Sequence, residues 1–346
     1  MENLIKQTAG IDCANDDFTV TFSVMESDFQ VKHLATKTFL NNDEGFKNFA
    51  KWVEKLSDPS ISLNFLMEAT GVYHERLACY LFDSGKKVIV VLPHKAKHFS
   101  KTLKTKTVTD KESSKALAIM GLEKKLDLWA KPEGVFLVLK QLTREREQIQ
   151  QHLTQLKNQQ HAEQSGAWPN KNTLKRLNDH LTFLKQQKQA IEKDIAQILK
   201  ENPELKRRIQ KLTTIPGVGV LTAVTVLAET NGFNLIRNKR QLVSYAGYDV
   251  IQKDSGTSVH AKPRISKRGN RHIRKAMHMP ALTSIRHCKQ NQEVFKRIVT
   301  KSAIKMKGVV AVQRKLLVLI YTLWKNDSEY DPRYEIKKEI GQIALS

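Results

Sequence analysis

The chain has 346 residues and a formal net charge of +23, with an isoelectric point near 9.8. A positive excess of this size favours a polyanionic partner, most commonly nucleic acid. The three widely spaced cysteines match neither a zinc site nor a disulfide framework, and no apolar run is long enough to span a bilayer. The first residues lack the pattern of a secretory signal, so we expect a protein of a reducing cytoplasm without a membrane partner.

The first part of the chain, to about residue 129, alternates predicted strands and helices. Apolar residues recur at every second position in the strands and at helical spacing in the helices. In chain order the sequence predicts a segment over 5–13 that starts with a loop and ends in a buried strand, then a strand over 18–24, a helix over 44–56, a strand over 63–67, a helix over 71–82, a strand over 87–92 and a helix over 111–122. This order indicates a mixed sheet covered by helices.

The middle of the chain, residues 136–208, is rich in Gln, Lys, Glu and Leu, with apolar residues three and four positions apart. Gly166, Pro169 and Asn170 interrupt this pattern. We expect two long helices that form a hairpin or an intermolecular coiled coil; a monomeric helical linker is the alternative. After Leu212 the pattern is compact and mostly helical.

Three carboxylates occur where predicted elements end or begin. Asp12 and Glu68 end two strands, and Asp110 precedes a helix. Such residues can converge, and a cluster of carboxylates repels itself unless a divalent cation lies within it. Mg²⁺ prefers oxygen ligands and serves phosphodiester chemistry. The alternative is a turn aspartate, a helix-capping aspartate and an exposed glutamate.

A glycine-bearing turn precedes an apolar helix in the second half of the chain. Residues 215–219 read Ile-Pro-Gly-Val-Gly. In helix-hairpin-helix modules such a turn presents backbone N–H groups, here those near Gly217 and Gly219, to a DNA phosphate. A plain helix–helix turn explains the same pattern.

Positive charge is concentrated over residues 254–274. No acidic residue occurs from Ser255 to Gln292, which is typical of a phosphate-binding surface. A hydroxyl beside concentrated cations can attack a phosphodiester, so Ser255, Ser258 and Ser266 are candidate nucleophiles, although Ser266 alternatively caps the next helix. His260 and His272 are further candidates, as phosphate contacts or as bases, with no role at all as the alternative. The predicted phosphate-binding cations are Lys262, Arg264, Lys267, Arg268, Arg271 and Arg274.

Four segments together resemble the DEDD-type insertion-sequence transposases, the bridge-RNA-guided recombinases, over nearly the whole chain. The segments are GID at 10–12, MEATG at 67–71, IPGVG at 215–219, and SG…RISKRGNRHIRKA at 255–276. The resemblance implies an α/β RuvC-like (RNase H-type) N-terminal domain, long coiled-coil helices in the middle and a mainly α C-terminal transposase domain. These domains would span residues 1–130, 131–210 and 211–326, followed by a polar tail at 327–346.

The resemblance also implies the roles of individual residues. By position, the catalytic residues would be Asp12, Glu68, Asp110 and Ser255, of which the three acids would hold the metal. The family usually has a fourth acid three residues after the third, and here that position is Ser113. Either Ser113 coordinates more weakly, or Glu112 substitutes, or the site has three carboxylates.

The function implied by the resemblance is transposition by site-specific DNA recombination. A mobile element would be excised and inserted by Mg²⁺-assisted serine attack on a DNA phosphodiester, with Mn²⁺ as the alternative ion. The implied partners are the element ends, the target DNA, a noncoding guide RNA and further copies of the chain, in a dimer or tetramer with composite active sites, at the bacterial nucleoid. The alternatives are a metal-dependent RuvC-like structure-specific endonuclease and a non-catalytic nucleic-acid-binding protein.

Overall fold

The computed structural model describes residues 4–103, 109–234, 236–255 and 259–333, without the side chains of 253–255 and 259–262. The chain divides into two compact units, residues 1–131 and 132–346. The long middle helices belong to the second unit, and a separate domain boundary near residue 210 stays a prediction.

The first unit contains a five-stranded mixed sheet with helices. Its elements are β1 (Leu4–Cys13), β2 (Asp17–Glu26), β3 (Val31–Leu40), α1 (Asp43–Leu56), β4 (Leu63–Glu68), α2 (Glu75–Asp83), β5 (Lys87–Val91), α3 (Pro93–Ser100) and α4 (Asp110–Glu123). The sheet order is β3-β2-β1-β4-β5. Strands β1 to β3 pair antiparallel, whereas β4 is parallel to both β1 and β5. The predicted mixed sheet covered by helices is therefore confirmed.

Several details of this unit differ from the sequence-based predictions. Helix α3 was not predicted, and the start of β1, expected to be a loop, belongs to the strand. Strand β3 was not predicted, because it is a mostly exposed edge strand without a clear apolar alternation. Strand β2 is buried on both faces rather than half-buried, since its polar positions pack inward and hydrogen-bond: the Thr21 hydroxyl lies 2.8 Å from that of Ser114 on α4. The helix predicted from Gly71 begins at Glu75, because a turn with Gly71 at φ 55° precedes it.

Helix α4 lies directly against the central strand β1. A Cβ atom added to Gly10 would come within 2.2 Å of the backbone nitrogen of Ala118 and 2.3 Å of the carbonyl oxygen of Ser114. One turn further on, a Cβ added to Gly121 of α4 would lie 2.5 Å from the Thr8 side chain. A larger residue would therefore have to displace backbone at Gly10 and the Thr8 side chain at Gly121.

The second unit is mainly helical. Its elements are α5 (Gly134–Ser165), α6 (Lys171–Glu201), α7 (Pro203–Thr213), α8 (Val220–Thr230), α9 (Lys239–Tyr245), β6 (Val250–Ser255), β7 (Val259–Ile265), α10 (Arg271–Ala276), α11 (His278–His287), α12 (Lys289–Ser302) and α13 (Lys305–Asn326). The antiparallel hairpin β6–β7 was not predicted, because polar and basic residues dominate its sequence.

Helices α5 and α6 pair within the chain and bury one apolar stripe each. The break predicted at residues 166–170 separates them. Since these side chains are covered intramolecularly, the hairpin arrangement is the one observed, and assembly of several copies stays a prediction. The buried residues of the two helices are Phe136, Leu139, Thr143, Ile149, Leu153, Leu181, Leu184, Ile191, Ile195 and Leu199. No helix in the described ranges is both long and apolar enough to cross a membrane.

The close contact between β1 and α4 predicts the effect of Gly10→Ala. The new methyl group would clash with backbone atoms, which cannot rotate away, so we expect destabilisation of at least about 1–3 kcal/mol, the usual range for overpacking. Gly134→Ala is the control, because nothing lies within 4 Å of its added Cβ atom. Urea unfolding of both variants tests this; wild-type stability of Gly10→Ala would contradict the contact.

Candidate functional site

The first unit places Asp12 and Glu68 at the same edge of the sheet. Strands β1 and β4 run parallel, with Ile11 paired to Met67. The two acids follow these paired residues and therefore occupy equivalent positions at the carboxyl ends of neighbouring strands. Both side chains are half-buried, so neither is the turn aspartate or exposed glutamate of the alternative interpretation.

Helix α4 brings the other two candidates to this edge. Asp110 is its first residue, and the Thr109 hydroxyl caps the helix by accepting from the backbone N–H of Glu112 at 3.3 Å. The Ser113 hydroxyl donates a hydrogen bond to the carboxylate of Asp12. The contact of Gly10 with α4 fixes this arrangement, because it sets how closely the first turn of the helix approaches β1.

The electrostatics of Asp12 show that the acids influence one another. Burial, followed by the negative charges of Asp110 and Glu68, raises the pKa of Asp12 to about 6, and the hydrogen bond from Ser113 only partly offsets this rise. Burial and the Asp12 charge also raise the pKa of Cys13 to about 12, so its thiol is protonated at neutral pH. The site thus carries an excess of negative charge.

The donor set is chemically suited to a hard divalent cation, because it consists of carboxylate and hydroxyl oxygens. Among the described residues, however, no three His, Cys, Asp or Glu side chains lie close enough together to hold a metal ion. The predicted metal ligation by Asp12, Glu68 and Asp110 therefore stays a prediction. A cation would have to draw these carboxylates together, and its charge would relieve the repulsion that raises the Asp12 pKa.

The two candidates for the missing fourth acid behave differently. Glu112 forms an ion pair with Lys115 at 2.8 Å, whereas Ser113 contacts Asp12 directly. Two cavities flank these residues: one of about 320 Å³ is lined by Asp12 and Asp110, and one of about 770 Å³ by Glu68, Glu112 and Ser113. Which of the two residues, if either, completes a metal site stays a prediction.

In the second unit the predicted glycine turn joins α7 to α8. Gly217 has φ 92°, and a Cβ atom there would lie 2.5 Å from the carbonyl oxygen of Pro280 on α11, so packing and conformation both require this glycine. Gly219 is the exposed N-cap residue of α8, with open space around it. Of the two glycines, only Gly219 leaves its surroundings open to a ligand.

The predicted nucleophile Ser255 is the last residue of β6, paired with Val259 across the hairpin. Its side chain, and those of His260 and Lys262, lie outside the described residues, as does the whole of Ser258. The structure therefore fixes the backbone position of Ser255 near the end of the β6–β7 hairpin and leaves the predicted roles of these side chains as predictions.

The cations that follow the hairpin fall into two groups. Four exposed side chains form no hydrogen bond or ion pair within the described part of the chain; they are those of Arg264, Lys267, Arg268 and Arg271. Arg274, predicted with them, donates to the carbonyl oxygens of Ala246 at 2.9 Å and Gly269 at 3.0 Å. Arg274 thus stabilises the loop through hydrogen bonds from its Nη1 atom.

One other expectation for this segment needs correction. Ser266 does not cap the following helix, because its hydroxyl donates to Asp249 at 2.6 Å and Asn270 caps α10 by accepting from the N–H groups of His272 and Ile273. The Nδ1 atom of His272 lies 2.6 Å from the Glu147 carboxylate, a contact that fixes the orientation of the ring, and the predicted role of His272 stays a prediction.

A buried charge network behind the basic segment was not predicted. Glu229 is almost fully buried and accepts from Arg144 at 2.7 and 2.9 Å and from the Asn270 side chain at 2.6 Å. Burial raises the pKa of Glu229, but hydrogen bonds from Arg144 and Asn270 outweigh it and hold the pKa below its ordinary value. The network anchors the cap residue of α10, and a lone acid in the apolar run of α8 was the signal that sequence reasoning missed.

Segments of both units match family models of transposases. Residues 9–169 match a DEDD-type IS110 model described as "Transposase", and residues 209–296 match the model "Transposase IS116/IS110/IS902 family". The pilin gene-inverting protein of Moraxella bovis is 29% identical over 95% of this chain and 98% of its own length. The transposase for insertion sequence element IS1111A of Coxiella burnetii is 30% identical over 40% of this chain and 38% of its own length.

Among solved structures, Thermus thermophilus RuvC matches 36% of this chain and 99% of its own length, with 13% identity and a TM-score of 0.28. At that score the two structures differ too much for the likeness to support an assignment.

The repulsion at Asp12 predicts how Asp12→Asn changes stability in metal-free buffer. The folded-state pKa of about 6 lies above the reference value of 3.8, so ionised Asp12 destabilises the fold above pH 6, and this effect is lost as the pH falls below 3.8. We therefore expect Asp12→Asn to raise Tm at neutral pH and to leave it unchanged below pH 3.8. The free energy of unfolding at neutral pH should rise by an amount on the order of 1–2 kcal/mol after allowance for solvent screening.

Added Mg²⁺ should make the wild-type protein more stable than Asp12→Asn, because the cation binds, and removes the repulsion, only where the carboxylate is present. Asp43→Asn is the control, since Asp43 is an exposed partner of Arg76 and its replacement should alter neither response. A wild-type Tm that changes with neither pH nor Mg²⁺ concentration would contradict the electrostatic description of the site.

The network around Glu229 predicts a large effect of Arg144→Ala. Removal of Arg144 leaves a buried carboxylate without its strongest partner, which typically costs about 3–5 kcal/mol. Arg76→Ala, which breaks an exposed pair with Asp43, should cost less than about 1 kcal/mol. Chemical unfolding of both variants checks this, and the double variant Arg144→Ala/Glu229→Gln should recover part of the loss; equal, small effects would disprove the anchoring role.

Proposed function

We infer that this chain, which carries both domains of the IS110-family transposases, cuts and rejoins DNA strands to move or invert a DNA segment by serine-dependent transesterification. The observation that supports the chemistry is the convergence of Asp12, Glu68, Asp110 and Ser113 at one sheet edge, with mutual repulsion among the acids. The pilin gene-inverting and transposase relatives support DNA rearrangement as the overall reaction.

The acids would hold Mg²⁺, with Mn²⁺ as a substitute, and the bound metal would supply charge stabilisation at the scissile phosphate. Asp12 would be the central ligand, because burial and the charges of both Asp110 and Glu68 disfavour its ionised form. Ser113, hydrogen-bonded to Asp12, would keep that carboxylate oriented. A neutral hydroxyl in place of the usual fourth acid should give weaker metal binding than four carboxylates would.

Ser255 would attack the DNA phosphodiester. Its Oγ would form a bond to phosphorus, the bond from phosphorus to the leaving deoxyribose oxygen would break, and the serine proton would pass to a base or to solvent. A second transesterification, in which a DNA hydroxyl displaces the serine, would reseal the strand. The net reaction conserves phosphodiester bonds and therefore needs no external energy source.

The second unit supplies the surface that would bind the DNA backbone. The side chains of Arg264, Lys267, Arg268 and Arg271 are exposed and lack partners among the described residues, so their charges are available to phosphates. The buried Glu229, paired with the more exposed Arg144, would hold this segment in place through Asn270. A noncoding guide RNA and an assembly of several copies are further proposals, which the large net charge of +23 accommodates.

Ser255→Ala should abolish both covalent protein–DNA adducts and recombinant products, because the nucleophile is missing. Ser266→Ala is the matched control: its hydroxyl bonds to Asp249, so the variant should still form the adduct. Denaturing gels of end-labelled DNA containing the element junctions separate the adduct from free strands.

If Ser255→Ala recombines fully while Asp12→Asn does not, the serine mechanism is wrong. Strand cutting that persists in Ser255→Ala without any rejoining would favour the alternative of a metal-dependent, RuvC-like endonuclease. Wild-type binding to DNA without cutting would favour the non-catalytic alternative.

Arg268→Ala should weaken DNA binding and make it less sensitive to salt. Loss of one phosphate contact should lower the slope of log K against log salt concentration by about 1. Arg207→Ala is the control, because Arg207 is paired with Glu204 and Asp327 at 2.7 and 2.9 Å and should not contribute to the slope. Fluorescence anisotropy over a salt series measures both, and an unchanged slope for Arg268→Ala would make this arginine structural.

A further inference from the structure

A cavity of about 770 Å³ lies between α3 and α4 in the first unit. Its volume falls within the roughly 300–1,000 Å³ of small-molecule sites. Glu68 and Ser113 belong to its lining, so the cavity adjoins the cluster of acids without containing Asp12 or Asp110. Nothing in the reaction proposed above requires a space of this size.

The base of the cavity is apolar. Ala96 and Phe99 of α3 and Leu117 and Met120 of α4 line it, and each is at most 8% exposed. These residues form one small core together with strands β4 and β5, so the base is part of the fold and does not depend on a loop. An apolar base of this kind suits a flat organic group rather than an ion.

One side of the cavity carries two cations. Lys97 and Lys101 line the cavity and are exposed, and neither forms a side-chain ion pair within the described residues. On the opposite side the charge of Glu112 is neutralised by Lys115 at 2.8 Å. The cavity therefore combines an apolar base, unpaired ammonium groups on one side and the Glu68 carboxylate on the other.

We propose that this cavity binds one nucleotide of the DNA strand being cut. Its nucleobase would leave the base stack and pack against the apolar residues at the bottom of the cavity, and Lys97 and Lys101 would bind its phosphates. An apolar surface for the base and cations for the backbone are the two elements by which proteins bind single-stranded nucleic acid. The position beside Glu68 and Ser113 makes the bound nucleotide a neighbour of the scissile phosphate. This inference rests on the proposed function, to which it adds a site that positions the strand.

Photocrosslinking tests the site without strand cutting. A single-stranded oligodeoxynucleotide with one 5-iodouracil is irradiated with the full-length protein in EDTA, and crosslinked peptides are identified by mass spectrometry. We expect the crosslink in peptides that contain Phe99 or Met120. Lys97→Glu, a surface substitution that should fold normally, should reduce this crosslink at least severalfold, and Lys51→Glu, at an exposed position of α1, should not.

A second variant separates the cavity from general charge effects. Ala116→Met places a larger side chain in the cavity lining without changing charge, and should remove the crosslink while overall oligonucleotide affinity changes little; circular dichroism confirms that it folds. Crosslinks elsewhere only, or equal yields from the Lys97 and Lys51 variants, would overturn the proposal. A crosslink from the matched RNA oligonucleotide but not from DNA would assign the cavity to RNA and also overturn it.

The outcomes distinguish this inference from the proposed function. If recombination depends on Asp12 and Ser255 but no crosslink forms in the cavity, the nucleotide site is wrong and the reaction stands. If the crosslink is specific but neither adduct nor recombinant forms with wild-type protein, the chain binds a strand there and the proposed reaction is wrong.

Discussion

The arrangement of the acidic site depends on the contact between Gly10 and helix α4. Because Gly10 has no side chain, backbone atoms of Ala118 and Ser114 occupy the space where a Cβ atom would stand. The close approach of α4 to Gly10 determines where the first turn of the helix lies. It thereby sets the positions of Asp110 and Ser113 relative to Asp12. The packing of Gly10, two residues before Asp12 on β1, thus controls the electrostatics of the acids.

The pKa values of the two acids Asp12 and Glu229, one in each unit, are shifted in opposite directions. Glu229 is satisfied by Arg144 and Asn270, and its pKa is held below the ordinary value. Asp12 receives one hydrogen bond from Ser113 and repulsion from its neighbours, and its pKa rises to about 6. A fully paired acid indicates a structural role, whereas an acid left in repulsion with others indicates a site that gains stability from a cation.

Periodicity and the ends of strands predicted the mixed sheet and the long helical hairpin, and they put Asp12, Glu68 and Asp110 at the boundaries of elements. Strand β3 was missed because an exposed edge strand lacks apolar alternation. The Glu229 network could not be predicted, because its partner Arg144 lies 85 positions away and only the fold brings them together. The same holds for Ser113: the sequence showed a missing acid, and only the structure shows its hydroxyl on Asp12.

The claim that the sheet edge holds a divalent cation is tested most directly by locating Mn²⁺ in crystals of the wild-type protein. Anomalous difference maps at the manganese absorption edge should show a peak between Asp12, Glu68 and Asp110, with Ser113 at its border. The peak should be absent from crystals of Asp12→Asn grown under the same conditions. Mn²⁺ bound only elsewhere, or no peak at saturating concentration, would contradict the account.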